Sequence, residues 1–466
     1  MEINLELLKI QNPWWSDKVG SRYFAGLKFD PVLETYNKQT LKWQPKILSQ
    51  LNLQTNKIYL LLGVKGVGKT TIIKLLIKKL IEEKKTLPEN IFYYSCHILE
   101  TYEQLNEMIK IFLHWRAGQK ERLFIFIDEI TLLDHWFEGI NYLAKAGKLK
   151  NTGLIFAGSS LNQDWRDKKS NLANWQPKFI SSLDFSEFLN LINPTLFRKI
   201  KPSNFKNFQE KLNYYLEVYF LTGGFISALS SFKEKGAVNQ SIYENYLAWL
   251  LADLAKMGRD IILARQILEK LLASLGRPIG YQTIAKKTKA KTHLTVAEYL
   301  EILEQLLIIR IVYQRDIGKL ATSKAKKVYF TDPFFFWLFY SYTYGSLDYW
   351  HFSRQHLHQP KIFLALIENV VFSHLIKGEK LADWGKRVTF WRDYIKKTEI
   401  DFLFHQGRKI MPILISYDVS IGANEKILKA AGFKQGIIIT KEKLDLRRPV
   451  KIIPLTYFLL FYKKLL

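Results

Sequence analysis

The octapeptide Gly63-Val-Lys-Gly-Val-Gly-Lys-Thr70 restricts the fold of this chain more than any other part of its 466 residues. It fits the pattern G-x-x-x-x-G-K-[ST] at every fixed position. An apolar run, Ile58 to Leu62, precedes it, and a stretch with helical period, Thr71 to Glu83, follows it. A strand that turns into a helix through glycines points successive backbone N–H groups into one concavity, where the helix N-terminus adds partial positive charge. Such a loop holds phosphate at the carboxyl edge of a parallel α/β sheet. Gly63, Val64, Lys65, Gly66, Val67, Gly68, Lys69, Thr70 and Thr71 are therefore the expected nucleotide-binding residues. Lys69 is placed to reach the β- and γ-phosphates, and the Thr70 hydroxyl to bind Mg²⁺.

A second apolar run, Leu123 to Ile127, ends in Asp128-Glu129. Asp128 is the expected second metal-site residue, and Glu129 is placed to polarise an attacking water. Lys69, Asp128 and Glu129 are thus the candidate catalytic set, with ATP and Mg²⁺ as cofactors and hydrolysis as the expected outcome. A third run, Leu154 to Ala157, leads into Gly158-Ser159-Ser160. Ser159 or Ser160 can sense the γ-phosphate, and equally the segment can be a tight exit turn. Arg166 and Arg259 are candidates for steadying the transferred phosphoryl group.

The chain carries 69 Lys and Arg against 43 Asp and Glu, a formal charge of +26, which points to an acidic partner. Biased lysine usage is the plainer alternative. A single cysteine, Cys96, excludes a disulfide framework and a multi-cysteine zinc site. The N-terminus lacks the basic flank and apolar run of a signal peptide. The longest apolar stretches, Phe334 to Tyr340 and Ile452 to Tyr462, are shorter than the ~18 to 20 residues that span a bilayer. A cytoplasmic protein with no membrane partner is expected. The text divides into an N-terminal arm (1–50), an α/β nucleotide-binding core (51–200), a helical lid (201–258), a helix-rich unit closed by strands (259–333) and a mixed α/β domain (334–466). In the last of these, strands are expected at Val388–Trp391, Ile400–Phe404, Met411–Ile415 and Gly436–Ile439.

Within 259–333, the helices Ile261–Leu275, Gly280–Thr288 and Thr292–Leu307 precede a hairpin that returns through Val328-Tyr-Phe330, which spells a winged helix-turn-helix. The third helix is then the DNA-reading element. Lys289 and Lys291 precede it, and Thr292 and His293 open it; Lys286 and Lys287 lie just upstream. Arg315, Lys319, Lys324, Lys326 and Lys327 lie in or near the wing as phosphate contacts. A protein-interaction module with solvated lysines is the alternative.

Asn12-Pro-Trp-Trp15, the phosphate loop, Ile127-Asp-Glu-Ile130, Gly158-Ser-Ser160 and Leu183-Asp-Phe-Ser-Glu-Phe188 together resemble the prokaryotic AAA-type ATP-binding proteins grouped near the STAND NTPases. Tyr219-Phe-Leu-Thr-Gly-Gly224, His293 to Leu300 and Lys327-Val-Tyr-Phe-Thr-Asp-Pro-Phe334 continue the resemblance. It implies a P-loop NTPase parallel sheet with a helical lid, a winged helix-turn-helix and a C-terminal α/β domain similar to restriction endonucleases. The family's lid reads Gly-Gly-x-Pro, and here Ile226 stands in the last place; where the family has Gly-Arg, this chain has Asn174-Trp175. In the C-terminal domain the resemblance implies Glu368 and Asp401 as nuclease-site acids, followed by an acid-x-Lys strand. Leu414 and Ser416 occupy those last two places, so the nuclease site is read as degenerate, with Asp401 a remnant. The expectation is a Mg²⁺-dependent ATPase whose nucleotide state controls a basic module that binds DNA, with a protein partner and an oligomer both compatible. A nucleotide-gated scaffold with little turnover is the alternative, and an ATP-controlled nuclease a third reading.

Overall fold

A computed structural model describes residues 5–15, 27, 30–53, 57–160, 174–316, 319–321, 324–378, 387–417 and 420–466. The chain forms two compact units, Met1–Ile180 with Gln305–Leu307, and Ser181–Glu304 with Ile308–Leu466.

In the first unit, β1 (Ile58–Leu62), β2 (Ile91–Ser95), β3 (Leu123–Asp128), β4 (Thr152–Gly158) and β5 (Trp175–Phe179) form a sheet in the order β2-β3-β4-β1-β5. Every pairing in it is parallel. Near-continuous apolar runs suit strands buried on both faces, and β1 is buried throughout. The helices Lys69–Glu82, Tyr102–Trp115 and Trp136–Lys145 follow β1, β2 and β3 in the chain. Because the strands are parallel, the residues after β1, β3 and β4 all emerge on one edge. The short β5 has no counterpart in the expected strands: it contains Pro177 and pairs only with β1, at the sheet's edge, where a missing N–H is tolerated.

The opposite edge, β2, is covered by the arm without a further strand. The Asn12 side chain accepts from the Tyr93 N–H (2.7 Å) and donates to the Tyr93 carbonyl (2.9 Å). The indoles of Trp14 and Trp15 both donate to the Ile91 carbonyl, at 3.0 and 2.8 Å, and Gln11 accepts from the Ser95 N–H at 2.8 Å.

The second unit begins earlier than the expected boundary at residue 200. The helix Phe185–Ile192, capped by Asp184, packs against the helices Gln209–Thr222 and Leu455–Leu465 rather than joining the sheet of the first unit. The helices Ile261–Ala273, Tyr281–Lys286 and His293–Gln305 are followed by β6 (Ile309–Val312), which pairs antiparallel with β9 (Lys327–Phe330). Between them, β7 (Gln314–Asp316) and β8 (Lys319–Ala321) form a hairpin. The remaining strands are β10 (Val388–Asp393), β11 (Thr398–Gln406), β12 (Lys409–Ile415), β13 (Gly436–Thr440) and β14 (Val450–Pro454). They join the hairpin in a seven-stranded sheet, order β14-β13-β12-β11-β10-β7-β8, through the pairing of Phe390 with Gln314. The strands expected to form the wing hairpin thus pair as β6 and β9 in a two-stranded sheet of their own, while the segment between them, β7–β8, joins the margin of the C-terminal sheet. Among the described residues, no helix is long and apolar enough to cross a membrane.

Candidate functional site

The loop between β1 and the helix Lys69–Glu82 owes its course to its glycines. A Cβ at Gly63 would lie 2.2 Å from the Ile180 carbonyl oxygen. Gly68 has φ +100°, and a Cβ there would meet the Trp43 ring at 2.5 Å. Other residues therefore require the loop to move or to strain. The Lys69 side chain is buried and folds back over the loop, with Nζ donating to the carbonyls of Gly63 (3.0 Å) and Val64 (3.3 Å).

Asp128 and Glu129 lie at the end of β3, both buried. The Thr70 hydroxyl donates to Asp128 Oδ2 at 2.5 Å, so the two expected metal-site residues meet across 58 positions of sequence. Burial and the neighbouring Glu129 charge raise the Asp128 pKa, against the lowering effect of Thr70 and Lys69. Glu129 has φ +52°, an uncommon conformation for a side-chain-bearing residue, and it aims the carboxylate back at the loop. Its Oε1 lies 3.7 Å from Lys69 Nζ, and its Oε2 accepts from Ser159 Oγ at 2.6 Å. Burial alone would raise its pKa; the charge of Lys69, the Ser159 hydrogen bond, and His97 and Lys65 more than offset this and hold it low. Glu129 is therefore an ionised carboxylate beside the phosphate loop.

Of the two serines, Ser159 bonds to Glu129, and the backbone N–H groups of both Ser159 and Ser160 donate to Thr131 Oγ1, at 3.1 and 3.4 Å. Thr70 and Asp128 supply hard oxygen donors suited to Mg²⁺, which keeps waters and phosphate oxygens in the rest of its shell. That fits this donor set. Thr71 continues the helix, partly exposed. Arg166 lies outside the described residues, and Arg259 pairs with Glu298 at 2.6 Å.

Sequence reading missed the support behind Asp128. The Tyr93 hydroxyl on β2 donates to Asp128 Oδ2 at 3.3 Å, and its ring centroid lies 3.3 Å from Lys74 Nζ. Lys74 in turn pairs with Asp30 at 2.9 Å. The one available signal was a lysine inside the apolar run Ile72-Ile-Lys-Leu-Leu-Ile77.

In the second unit, Lys289, Lys291, Thr292 and His293 are exposed around the start of the helix His293–Gln305. The wing residues differ from expectation. Lys324 and Lys326 are half-buried, with Lys324 over the Tyr394 ring (5.8 Å) and Lys326 over that of Tyr281 (4.6 Å). Lys319 opens β8, and Arg315 lies 3.4 Å from His405. Lys327, expected at the phosphates, is fully buried and points inward at acids instead. Those acids include both Glu368 and Asp401, which the structure brings to one lysine at 2.7 and 3.8 Å. A lysine therefore stands beside the two acids expected from the sequence at a nuclease site, although it does not come from the strand expected to carry it. Leu414 is packed in a core with Ile400, Leu403, Leu428 and Ile438. Gly223 and Gly224 are both fixed by Asp332. The Gly224 N–H donates to Asp332 Oδ2 at 2.9 Å, and a Cβ at Gly223 would collide with that carboxylate.

Residues 55–189 match the family model described as an AAA domain, and the fold there is that of an AAA-type P-loop NTPase. Residues 213–337 and 365–458 match two models described as domains of unknown function, DUF8612 and DUF4143. No curated protein matches the chain. Among solved structures, the Aeropyrum pernix ORC1 protein in complex with DNA is similar at 14% identity and a TM-score of 0.30, over 69% of this chain and 92% of that one. The Thermotoga maritima RuvB Holliday junction branch migration motor is similar at 17% identity and a TM-score of 0.30, over 59% of this chain and 90% of that one. A STAND protein with a tetratricopeptide repeat sensor from Pyrococcus horikoshii shows 15% identity and a TM-score of 0.30, over 72% of this chain and 48% of its own.

Proposed function

We propose that this chain is a Mg²⁺-dependent ATP hydrolase whose nucleotide state governs a basic, DNA-binding second unit. The observation that carries the hydrolase reading is the convergence of Lys69, Thr70, Asp128, Glu129 and Ser159 at one edge of a parallel sheet. Lys69, now bonded to its own loop, is within reach of the phosphates the loop would hold. Thr70 and Asp128 would hold Mg²⁺, which supplies charge neutralisation of the phosphates. Glu129, ionised, orients and deprotonates the attacking water, and Ser159 holds its carboxylate in place. Lys69→Ala is expected to abolish nucleotide binding, and Glu129→Gln to keep binding but lower turnover by about 100-fold or more. Purified protein with no Mg²⁺-dependent ATP turnover above that of Lys69→Ala excludes the reading.

The engagement of Glu129 by both Ser159 and Lys69 also supports a second reading, in which bound ATP is a structural ligand and turnover is slow. Tight ATP binding with Glu129→Gln indistinguishable from wild type would favour it. DNA binding is supported by the exposed group Lys289, Lys291, Thr292 and His293 and by the charge of +26. Affinity for duplex DNA should fall steeply with salt, and Lys289→Ala/Lys291→Ala should flatten that slope by about two. Unchanged affinity in that variant would leave a protein as the partner.

A further inference from the structure

Lys327 on β9 is fully buried, with a side chain 0% exposed. Its Nζ lies 2.7 Å from Glu368 Oε1, 2.6 Å from Glu399 Oε1 and 3.8 Å from Asp401 Oδ1. These acids come from the helix Pro360–Leu375 and from β11, so two chain segments converge on an ammonium carried by a third.

Each carboxylate is also held from elsewhere. The Tyr329 hydroxyl donates to Glu368 Oε1, and Gly276 leaves room for Glu368 Oε2, since a Cβ there would approach it to 2.4 Å. Arg392 donates to Glu399 Oε2 at 2.9 Å, and the Ile415 N–H donates to Asp401 Oδ2 at 2.7 Å. The rings of Phe390 and Phe402 flank the ammonium at 5.5 and 6.0 Å. Burial disfavours a charged lysine, but Glu368, Glu399 and Asp401 more than offset this and hold its pKa above the ordinary value. The site is therefore organised around a permanent cation.

We propose that Lys327 is the resident cation of this carboxylate cluster, filling the place that a divalent metal would otherwise take and closing the C-terminal domain to metal. Three carboxylates from two elements, with oxygens directed at a common point, are a donor set for a hard cation such as Mg²⁺ or Mn²⁺. Here the three oxygens stand at 2.7, 2.6 and 3.8 Å from the ammonium nitrogen, all farther than the ~2.1 Å at which Mg²⁺ is ligated. Among the described residues no group of three or more acids, histidines or cysteines is placed to hold a metal. A phosphodiesterase site of this kind needs its metal to generate and orient hydroxide, and its lysine free to reach the water. Here the lysine is spent on the acids themselves. A side chain thus takes the place of the metal, and Leu414, packed in the apolar core with Ile400 and Ile438, offers no ligand there.

The test is Mn²⁺ uptake by the nucleotide-free full-length chain, read from the loss of the free Mn²⁺ paramagnetic signal, together with melting temperature with and without Mn²⁺. Lys327→Met is expected to take up one more Mn²⁺ per chain than wild type and to gain a Mn²⁺-dependent rise in melting temperature. Both gains are expected to vanish in Lys327→Met/Asp401→Asn. Equal uptake by wild type and Lys327→Met, or extra uptake that survives Asp401→Asn, overturns the proposal. Should Lys327→Met fail to fold without metal, recovery on refolding with Mn²⁺ but not with Na⁺ at equal ionic strength supports it, and equal failure in both overturns it.

Discussion

Inside the first unit the ammonium of Lys74 has left water almost entirely, at 4% exposure, and so has its partner Asp30, at 1%. Asp30 serves twice. Oδ1 caps the helix Pro31–Lys38 by accepting from Val32 and Leu33, while Oδ2 takes the salt bridge to Lys74. Burial lowers the Lys74 pKa, and Asp30 partly restores it. Removing one member of such a pair strands a buried charge, whereas removing both need not cost much. Lys74→Met is expected to destabilise the chain by about 3–5 kcal/mol in denaturant unfolding. Lys74→Met/Asp30→Asn should recover a large part, because asparagine still caps the helix. A single variant within about 1 kcal/mol of wild type would show that the pair is not an anchor. The same charge sits against Tyr93, which bonds to Asp128, so the arm is linked to the candidate metal site through one lysine and one tyrosine.

At the level of elements, the edge strand β2 poses a problem that the arm answers with side chains. Exposed edges invite pairing with other chains. Here Gln11, Asn12, Trp14 and Trp15 satisfy the outward groups of Ile91, Tyr93 and Ser95. Asn12→Ala leaves one buried N–H and one buried carbonyl without that partner, so a loss of about 2–4 kcal/mol is expected. Light scattering during thermal unfolding should show earlier association than in wild type, and an unchanged midpoint and scattering profile would count against the edge-cover role. This element-level solution was only half legible in the sequence. Asn12-Pro-Trp-Trp15 stood out and suggested an arm against the next domain, but side-chain pairing with a strand edge has no periodic signature. The phosphate loop and Asp128-Glu129 were legible because their chemistry is contiguous and follows strong apolar runs. The short strands β5, β7, β8 and β14 were not, since edge position and tertiary pairing, not propensity, decide them. Lys327 reads as a wing lysine in the sequence for a related reason: in a run of basic residues, only the pleat of β9 distinguishes the lysine that faces in from its neighbour.

For the whole molecule, the second unit's stability carries a pH dependence to which His374 contributes beside His405, Asp332 and Asp401. The His374 Nε2 accepts from the Phe185 N–H at 2.9 Å, so its proton sits on Nδ1, facing the Val370 carbonyl at 2.8 Å. A second proton would meet the Phe185 N–H head-on. Burial, the largest cause, and the charges of Lys377 and Lys463 lower its pKa to about 4, against Asp184, which raises it. The unfolded chain binds that proton near pH 6.5, the folded chain only near 4, so this contribution is complete above about 6.5 and is lost as pH falls toward 4. Its full size is on the order of 3 kcal/mol. The difference in unfolding free energy between wild type and His374→Gln should therefore shrink from pH 7 to pH 4; a difference constant over that range would remove His374 as its source. The formal charge of +26 looks different at this scale too. Lys69, Lys74 and Lys327 are buried and committed to internal acids or carbonyls, while Lys289 and Lys291 remain at the surface. Lys327 also gives the fold a means of checking its own strand pairing. Val312 faces Lys327 across the β6–β9 ladder, and successive side chains on β9 point to opposite faces. A slip of one residue toward Val328 would turn that side chain to Glu368, Glu399 and Asp401, leaving Glu399 to Arg392 alone and Glu368 and Asp401 without their lysine. The misregistered hairpin would be penalised as soon as the helix Pro360–Leu375 and β11 closed over it, and so a single buried charge selects one alignment of two four-residue strands.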